Sequence, residues 1–247
     1  MAPRDVENPG RHVMDFAPRW KTAGDPIRTR GRLRIVLSLL SIGIAVATIT
    51  VMLMPTGRPF PQALFSRQLE EDSAAPAGAF VLLGDSVFEL FDTTRLRGGV
   101  LNFGIGGDTS SGLLSRIGRY RSLAKARAIA LEIGINDLRF RTRQDVVANY
   151  RRILAALPKE PRIYLLGILP IDEAAFLATY GGRVSNAEIA QINAAASELC
   201  RWRGNCVLLR PFGVPLAAEY HIGDGVHLNR AGYTLLAAAL ASAEAEP

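Results

Sequence analysis

Cysteine and histidine are scarce in this 247-residue chain, with two of the first and three of the second. Cys200 and Cys206 stand in CRWRGNC, a spacing that fits neither a CxxC redox motif nor a zinc site, which would need two more soft ligands nearby. No cluster of His, Cys and Asp argues for a metal, and no cofactor is expected. Aromatic residues make up 7%, ten Phe, six Tyr and two Trp scattered along the chain, and there is no extended apolar lid, so a wide lipid-binding groove is not indicated. Acidic residues are outnumbered, 23 against 29 basic, but the excess is local. Residues 1–34 hold eight basic and four acidic side chains, whereas the rest of the chain carries 21 and 19. That near-balance argues against a nucleic-acid-binding surface. Internal repeats and low-complexity tracts are absent too. With 49% hydrophobic and 21% charged residues, collagen-like, coiled-coil and wholly disordered chains are excluded.

One long apolar run is present. Residues 35–54, IVLSLLSIGIAVATITVMLM, contain no charge and no proline. At about 1.5 Å per residue they are long enough to cross a hydrocarbon core of roughly 30 Å. Arg28, Arg30, Arg32 and Arg34 crowd the N-terminal flank, while Glu70, Glu71 and Asp72 follow on the other side. The positive-inside rule then places residues 1–34 in the cytoplasm as a disordered basic tail and exports everything after Pro55. Ala45-Val46-Ala47 has the small-x-small pattern of a signal-peptidase site. The apolar run continues past it to Met54, so a retained signal anchor is expected, with secretion after cleavage as the alternative. Residues 55–76 read as a linker, leaving 77–247 as one folded domain. In an exported compartment Cys200 and Cys206 could close a short disulfide loop between a helix end and the next strand, the alternative being two buried thiols.

Within that domain, short continuous apolar runs alternate with helical patterns. Residues 79–83, 100–103, 128–133, 162–169 and 206–209 read as five strands buried on both faces. Thr142 with Asp145, and Ser185 with Glu188, mark helix starts, and residues 229–241 form a last Leu/Ala-rich helix. This alternation predicts a parallel sheet covered on both faces, a doubly wound three-layer α/β sandwich.

Ligands of such sheets bind beyond the carboxyl ends of the strands. The first run ends in Gly84-Asp85-Ser86, where a serine on the strand-to-helix turn is placed either as a nucleophile or as a helix cap. After the second comes NFGIGGDT (102–109), whose glycines can bring backbone N–H groups close to a ligand. Counted from Gly104 as G-x-G-x-x-G it meets Thr109 in place of the third glycine, so a dinucleotide fingerprint fails. The third run leads into Gly134-Ile135-Asn136-Asp137, where Asn136 could donate its amide to an oxyanion or simply form a turn. Near the C-terminus Asp224 precedes His227 by three residues, the spacing at which a carboxylate can orient an imidazole base. His12 lies in the tail, which leaves His227 or His221 as base, and His227 has the Asp. A conventional α/β-hydrolase elbow, G-x-S-x-G, is excluded because Phe88 stands where its second glycine belongs.

Taken together, the four blocks from Val81 to Tyr233 resemble the SGNH hydrolases, also called GDSL lipases/esterases, and VLNFGIGGDTS is similar to the second block of the platelet-activating-factor acetylhydrolase-like branch. The resemblance implies a flavodoxin-like α/β sandwich and a metal-free serine esterase. Ser86 would be nucleophile, His227 base and Asp224 its orienting acid, with an oxyanion hole built from Ser86, Gly107 and Asn136. It further implies a membrane-anchored bacterial enzyme, held in the inner membrane with its catalytic domain in the periplasm. Its acyl-ester substrate would carry a small acyl group, acetyl on an envelope or secreted glycan. Acyl transfer to a sugar hydroxyl and hydrolysis of lysophospholipid or other lipid esters are enzymatic alternatives, and a tethered glycan-binding protein is the non-enzymatic one. Nothing in the sequence specifies an oligomeric state.

Overall fold

The computed structural model describes residues 61–182, 184–210 and 218–245. The basic tail 1–34, the apolar segment 35–54 and residues 55–60 lie outside the described residues. Among the described residues no helix is long and apolar enough to cross a membrane.

Five strands form one parallel sheet: β1 (Phe80–Gly84), β2 (Val100–Gly104), β3 (Ala128–Glu132), β4 (Arg162–Gly167) and β5 (Cys206–Leu208). Their order across the sheet is β2-β1-β3-β4-β5, the flavodoxin-type doubly wound order. Alternate residues of each apolar run face opposite sides. Val81, Leu83, Ile129, Leu131, Ile163 and Leu165 enter one core, and Phe80, Leu82, Ala128, Ala130, Tyr164 and Leu166 enter the other. Burial on both faces is why these runs read as continuous rather than alternating.

The larger core is covered by α1 (Gln62–Ser73), α3 (Ser110–Arg116), α4 (Arg143–Ala156), α5 (Glu173–Tyr180) and α6 (Asn186–Arg203). The smaller one is closed by α2 (Ser86–Glu89) and α7 (Arg230–Ala245), through Val87, Phe88, Leu236 and Leu240. Helix α4 starts at a complete Thr142/Asp145 capping box, and Ser185 caps α6 through the Glu188 N–H. Cys200 near the end of α6 and Cys206 at the start of β5 are joined by a disulfide.

One expectation needs correction. Residues 62–73, assigned to the linker, form α1 and pack into the domain through Phe65, Gln68 and Asp72. The Gln68 amide donates to Gly104 O (2.9 Å), and the Asp72 carboxylate accepts from the Arg121 and Ser122 N–H groups (2.8 and 2.9 Å). Two of the three buried side chains are polar and serve the backbone elsewhere, Gln68 the end of β2 and Asp72 the Arg121–Ser122 segment. An apolar-pattern reading therefore misses the helix.

Candidate active site

Strands β1, β2 and β3, neighbours on one side of the sheet, each deliver a polar or glycine-rich segment at the carboxyl end. Directly after β1, Asp85 caps α2 by accepting from the Val87 N–H (3.1 Å). The capping role thus falls to Asp85, and Ser86 is left free at the first helical position. Its own N–H there has no intrahelical acceptor. The Ser86 hydroxyl lies 2.8 Å from His227 Nε2. On the far side of the ring His227 Nδ1 meets Asp224 Oδ2 at 2.5 Å.

Asp224 is held by its own loop. Its Oδ1 accepts from the Val226 and His227 N–H groups, both at 3.0 Å, and the Tyr180 hydroxyl donates to Oδ2 at 3.0 Å. Burial works to raise its pKa, but the His227 ring and these two N–H donors outweigh it, so the carboxyl lies below its ordinary value. The turn needs Gly225: its φ is +76°, and a Cβ there would meet Asp172 O at 2.5 Å. His221, the other candidate base, is buried with Nε2 on Pro170 O (3.1 Å), and burial lowers its pKa. It belongs to the support of the loop.

The glycine-rich segment after β2 closes the other side of Ser86. Gly106 lies against the serine, and its N–H donates to the Glu89 carboxylate one helical turn beyond Ser86. Gly107 follows at φ +77°, with open space where a Cβ would be and no acceptor for its N–H among the described residues. The Asn136 amide donates to Asp108 O (2.9 Å) and, more weakly, faces Asp85 Oδ2 (3.4 Å). All five sequence-predicted residues therefore stand at one end of the sheet.

Beneath the loop sits Arg116, a side chain that sequence reasoning passed over. It is 2% exposed and donates to Asp108 Oδ2 (2.8 Å), Phe103 O (2.9 Å), the Tyr120 hydroxyl (2.7 Å) and Gly84 O (3.0 Å). One guanidinium thus ties the ends of β1 and β2 to the glycine loop. Asp137 performs the matching task for α3, accepting from the Ser110 N–H (2.7 Å) and hydroxyl (2.6 Å). Glu89 and Tyr180 were also missed. Glu89 could have been found from its position three residues after Ser86 on a helix, whereas Tyr180 reaches Asp224 only through the tertiary fold.

A serine hydroxyl, an imidazole and a carboxylate in line, beside a loop with an exposed N–H, can carry out nucleophilic acyl transfer. The sequence profile of the GDSL-like Lipase/Acylhydrolase family matches residues 83–235, more than half of the chain and all of these residues. The chain belongs to that family.

Solved structures agree on the fold. A platelet activating factor structure from Streptococcus pneumonia is 23% identical, with a TM-score of 0.66 over 81% of this chain and 98% of that one. A GDSL-like lipase from Bacteroides thetaiotaomicron is 18% identical, with a TM-score of 0.59 over 72% and 96%. A variant of an acetyl-xylooligosaccharide esterase from Geobacillus Stearmophilus is 18% identical, with a TM-score of 0.50 over 66% and 92%. No curated protein matches the chain. Among the described residues no group of three or more His, Cys, Asp or Glu is arranged to hold a metal ion.

Proposed function

We propose that this GDSL acylhydrolase is a serine esterase for small acyl groups, acetyl in the first place, working through Ser86, His227 and Asp224. The observation that carries the reading is the hydroxyl–imidazole–carboxylate line, 2.8 Å from Ser86 Oγ to His227 Nε2 and 2.5 Å from Nδ1 to Asp224. His227 Nε2 takes the Ser86 proton as Oγ attacks the acyl carbonyl, and Asp224 holds the Nδ1–H tautomer and balances the imidazolium. The oxyanion is met by the N–H groups of Ser86 and Gly107 and by the Asn136 amide once its weak 3.4 Å contact with Asp85 gives way. His227 then protonates the leaving alcohol, and water, deprotonated by the same ring, frees the acyl group from Ser86.

The small acyl group is favoured by the scarcity of aromatics and of any lid, and it accords with the acetyl-xylooligosaccharide esterase among the fold neighbours. An acetylated glycan outside the cytoplasm is the proposed substrate class. Residues 35–54 are the proposed inner-membrane anchor, with the domain on the periplasmic side.

The test is release of p-nitrophenol from p-nitrophenyl acetate, butyrate and octanoate by the purified full chain and by Ser86→Ala. Turnover should fall with acyl length and vanish in the variant. Equal turnover by Ser86→Ala would remove the serine from its role, and preference for octanoate would replace the acetyl reading by a lipid-ester one.

A further inference from the structure

Glu132 is the last residue of β3, paired in register with Gly84, so its side chain reaches the same end of the sheet as Asp85. It is 1% exposed, and neither of its carboxyl oxygens takes part in a hydrogen bond of ordinary geometry, although the Asp85 backbone N–H bears on the carboxyl. What it faces is the carboxyl of Asp85, itself 0% exposed. Two ionised carboxylates cannot share a dry pocket, and a buried carboxylate without a donor is among the most costly groups in a protein. The conflict is relieved if one of them is a carboxylic acid, because its O–H then donates to the other.

The surroundings decide which one holds the proton. Asp85 already accepts from the Val87 N–H and faces the Asn136 amide, contacts that suit a carboxylate. Glu132 has only the Asp85 backbone N–H bearing on it, with no bond of ordinary geometry, and burial and the Asp85 charge oppose its ionisation. The other groups bearing on the pair do not supply a counter-charge of its own. Asp108 adds negative charge beside Asp85, and Arg116, the nearest buried cation, is matched to Asp108 at 2.8 Å. Tyr150 and Tyr233 approach from α4 and α7, but their hydroxyls are donated to Ile133 O and Val87 O. His227 acts on Asp85 only across space.

We infer that Glu132 is a positioning residue, kept protonated in the working protein, whose O–H donates to Asp85 and so fixes a single negative charge beneath the helix that carries Ser86. Burial and the Asp85 charge both push Glu132 well above the ordinary carboxylate range, consistent with this assignment. Losing its proton would place a second negative charge under the forming oxyanion, opposing the reaction. The inference concerns the same site as the proposed esterase, yet it rests on burial and donor count and is read without any turnover.

The direct experiment is infrared spectroscopy of the full chain at about pH 8, where ordinary carboxyls are ionised. A carboxylic-acid C=O band should be present in the wild type and absent in Glu132→Gln. No such band in the wild type, or one that survives in Glu132→Gln, overturns the inference, and the wild-type spectrum decides even where the variant fails to fold. A second readout follows from linkage. The folded chain holds a proton that the unfolded chain releases above about pH 4.3, so wild-type stability falls as pH rises, about tenfold in folding constant per unit until the folded-state pKa is passed. Glu132→Gln lacks that loss, so its unfolding midpoint should gain on the wild type as pH rises. Parallel midpoint curves would assign Glu132 to packing alone.

Discussion

Two aspartates flank the chemistry of Ser86, Asp85 as its neighbour in the chain and Asp224 through His227, and their surroundings push them in opposite directions. Asp224 is partly open to solvent and accepts from the Tyr180 hydroxyl, and the His227 ring together with the Val226 and His227 N–H groups outweighs burial and holds its carboxyl below the ordinary range. Asp85 is fully enclosed, has one good donor in Val87 N–H, and faces Glu132; burial raises its pKa. The same side chain therefore serves as the permanent anion of the proposed triad in one place and as half of a proton-sharing pair in the other. Residue type does not set the role; the count of donors and of neighbouring charges does.

The sharpest way to break the comparison is on the Asp224 side. Asp224→Asn should lower kcat by about 10⁴, because an amide there favours the wrong imidazole tautomer, and steady-state hydrolysis of p-nitrophenyl acetate measures it. The same variant should lower the unfolding midpoint at neutral pH. A depressed carboxyl contributes stability above its unfolded pKa and loses it as pH falls through the folded one, so the gap should close in acid.

Next in size is the support under the glycine loop. Arg116→Ala leaves Asp108 buried without its cation and removes bonds to Gly84 O and Phe103 O. It should cost about 3–5 kcal/mol in denaturant unfolding. Asn136→Ala should reduce kcat by about 10²–10³ with stability altered far less, and unchanged kcat would take Asn136 out of the oxyanion hole. Smallest is the disulfide. Its short loop, six residues in sequence separation, is worth about 2 kcal/mol, so Cys200→Ser/Cys206→Ser should unfold at lower denaturant with kcat retained, since neither cysteine touches the site.

How far this was legible in the sequence follows from what kind of signal each part leaves. The five strands lie within a residue or two of the apolar runs, because burial on both sides of a parallel sheet forces such runs. Ser86, Asn136, Asp224 and His227 were found because ligand groups of doubly wound sheets follow strand ends or precede a helix, where the sequence changes abruptly from apolar to polar. The missed features share a different physics. Helix α1 buries Gln68 and Asp72, and Arg116 buries a full guanidinium, so each looks like surface until its long-range partners are known. Glu132 was hidden inside AIALEI, where one acidic letter in a strand carries no sign of the carboxyl it will face. Gly107 was legible because a run of glycines after a strand end lets backbone N–H groups approach a ligand, and its N–H was expected in the oxyanion hole. The anchor at 35–54 lies outside the described residues and stands on its composition and flanking charges.

The measurement closest to the central claim is covalent labelling with an alkyl fluorophosphonate followed by peptide mass mapping, because such a reagent reacts with a serine only where a base has activated it. The account predicts one adduct, on Ser86, lost when His227 is replaced by Ala in a folded chain. Labelling at another residue, or no labelling of Ser86 in the wild type, would contradict it.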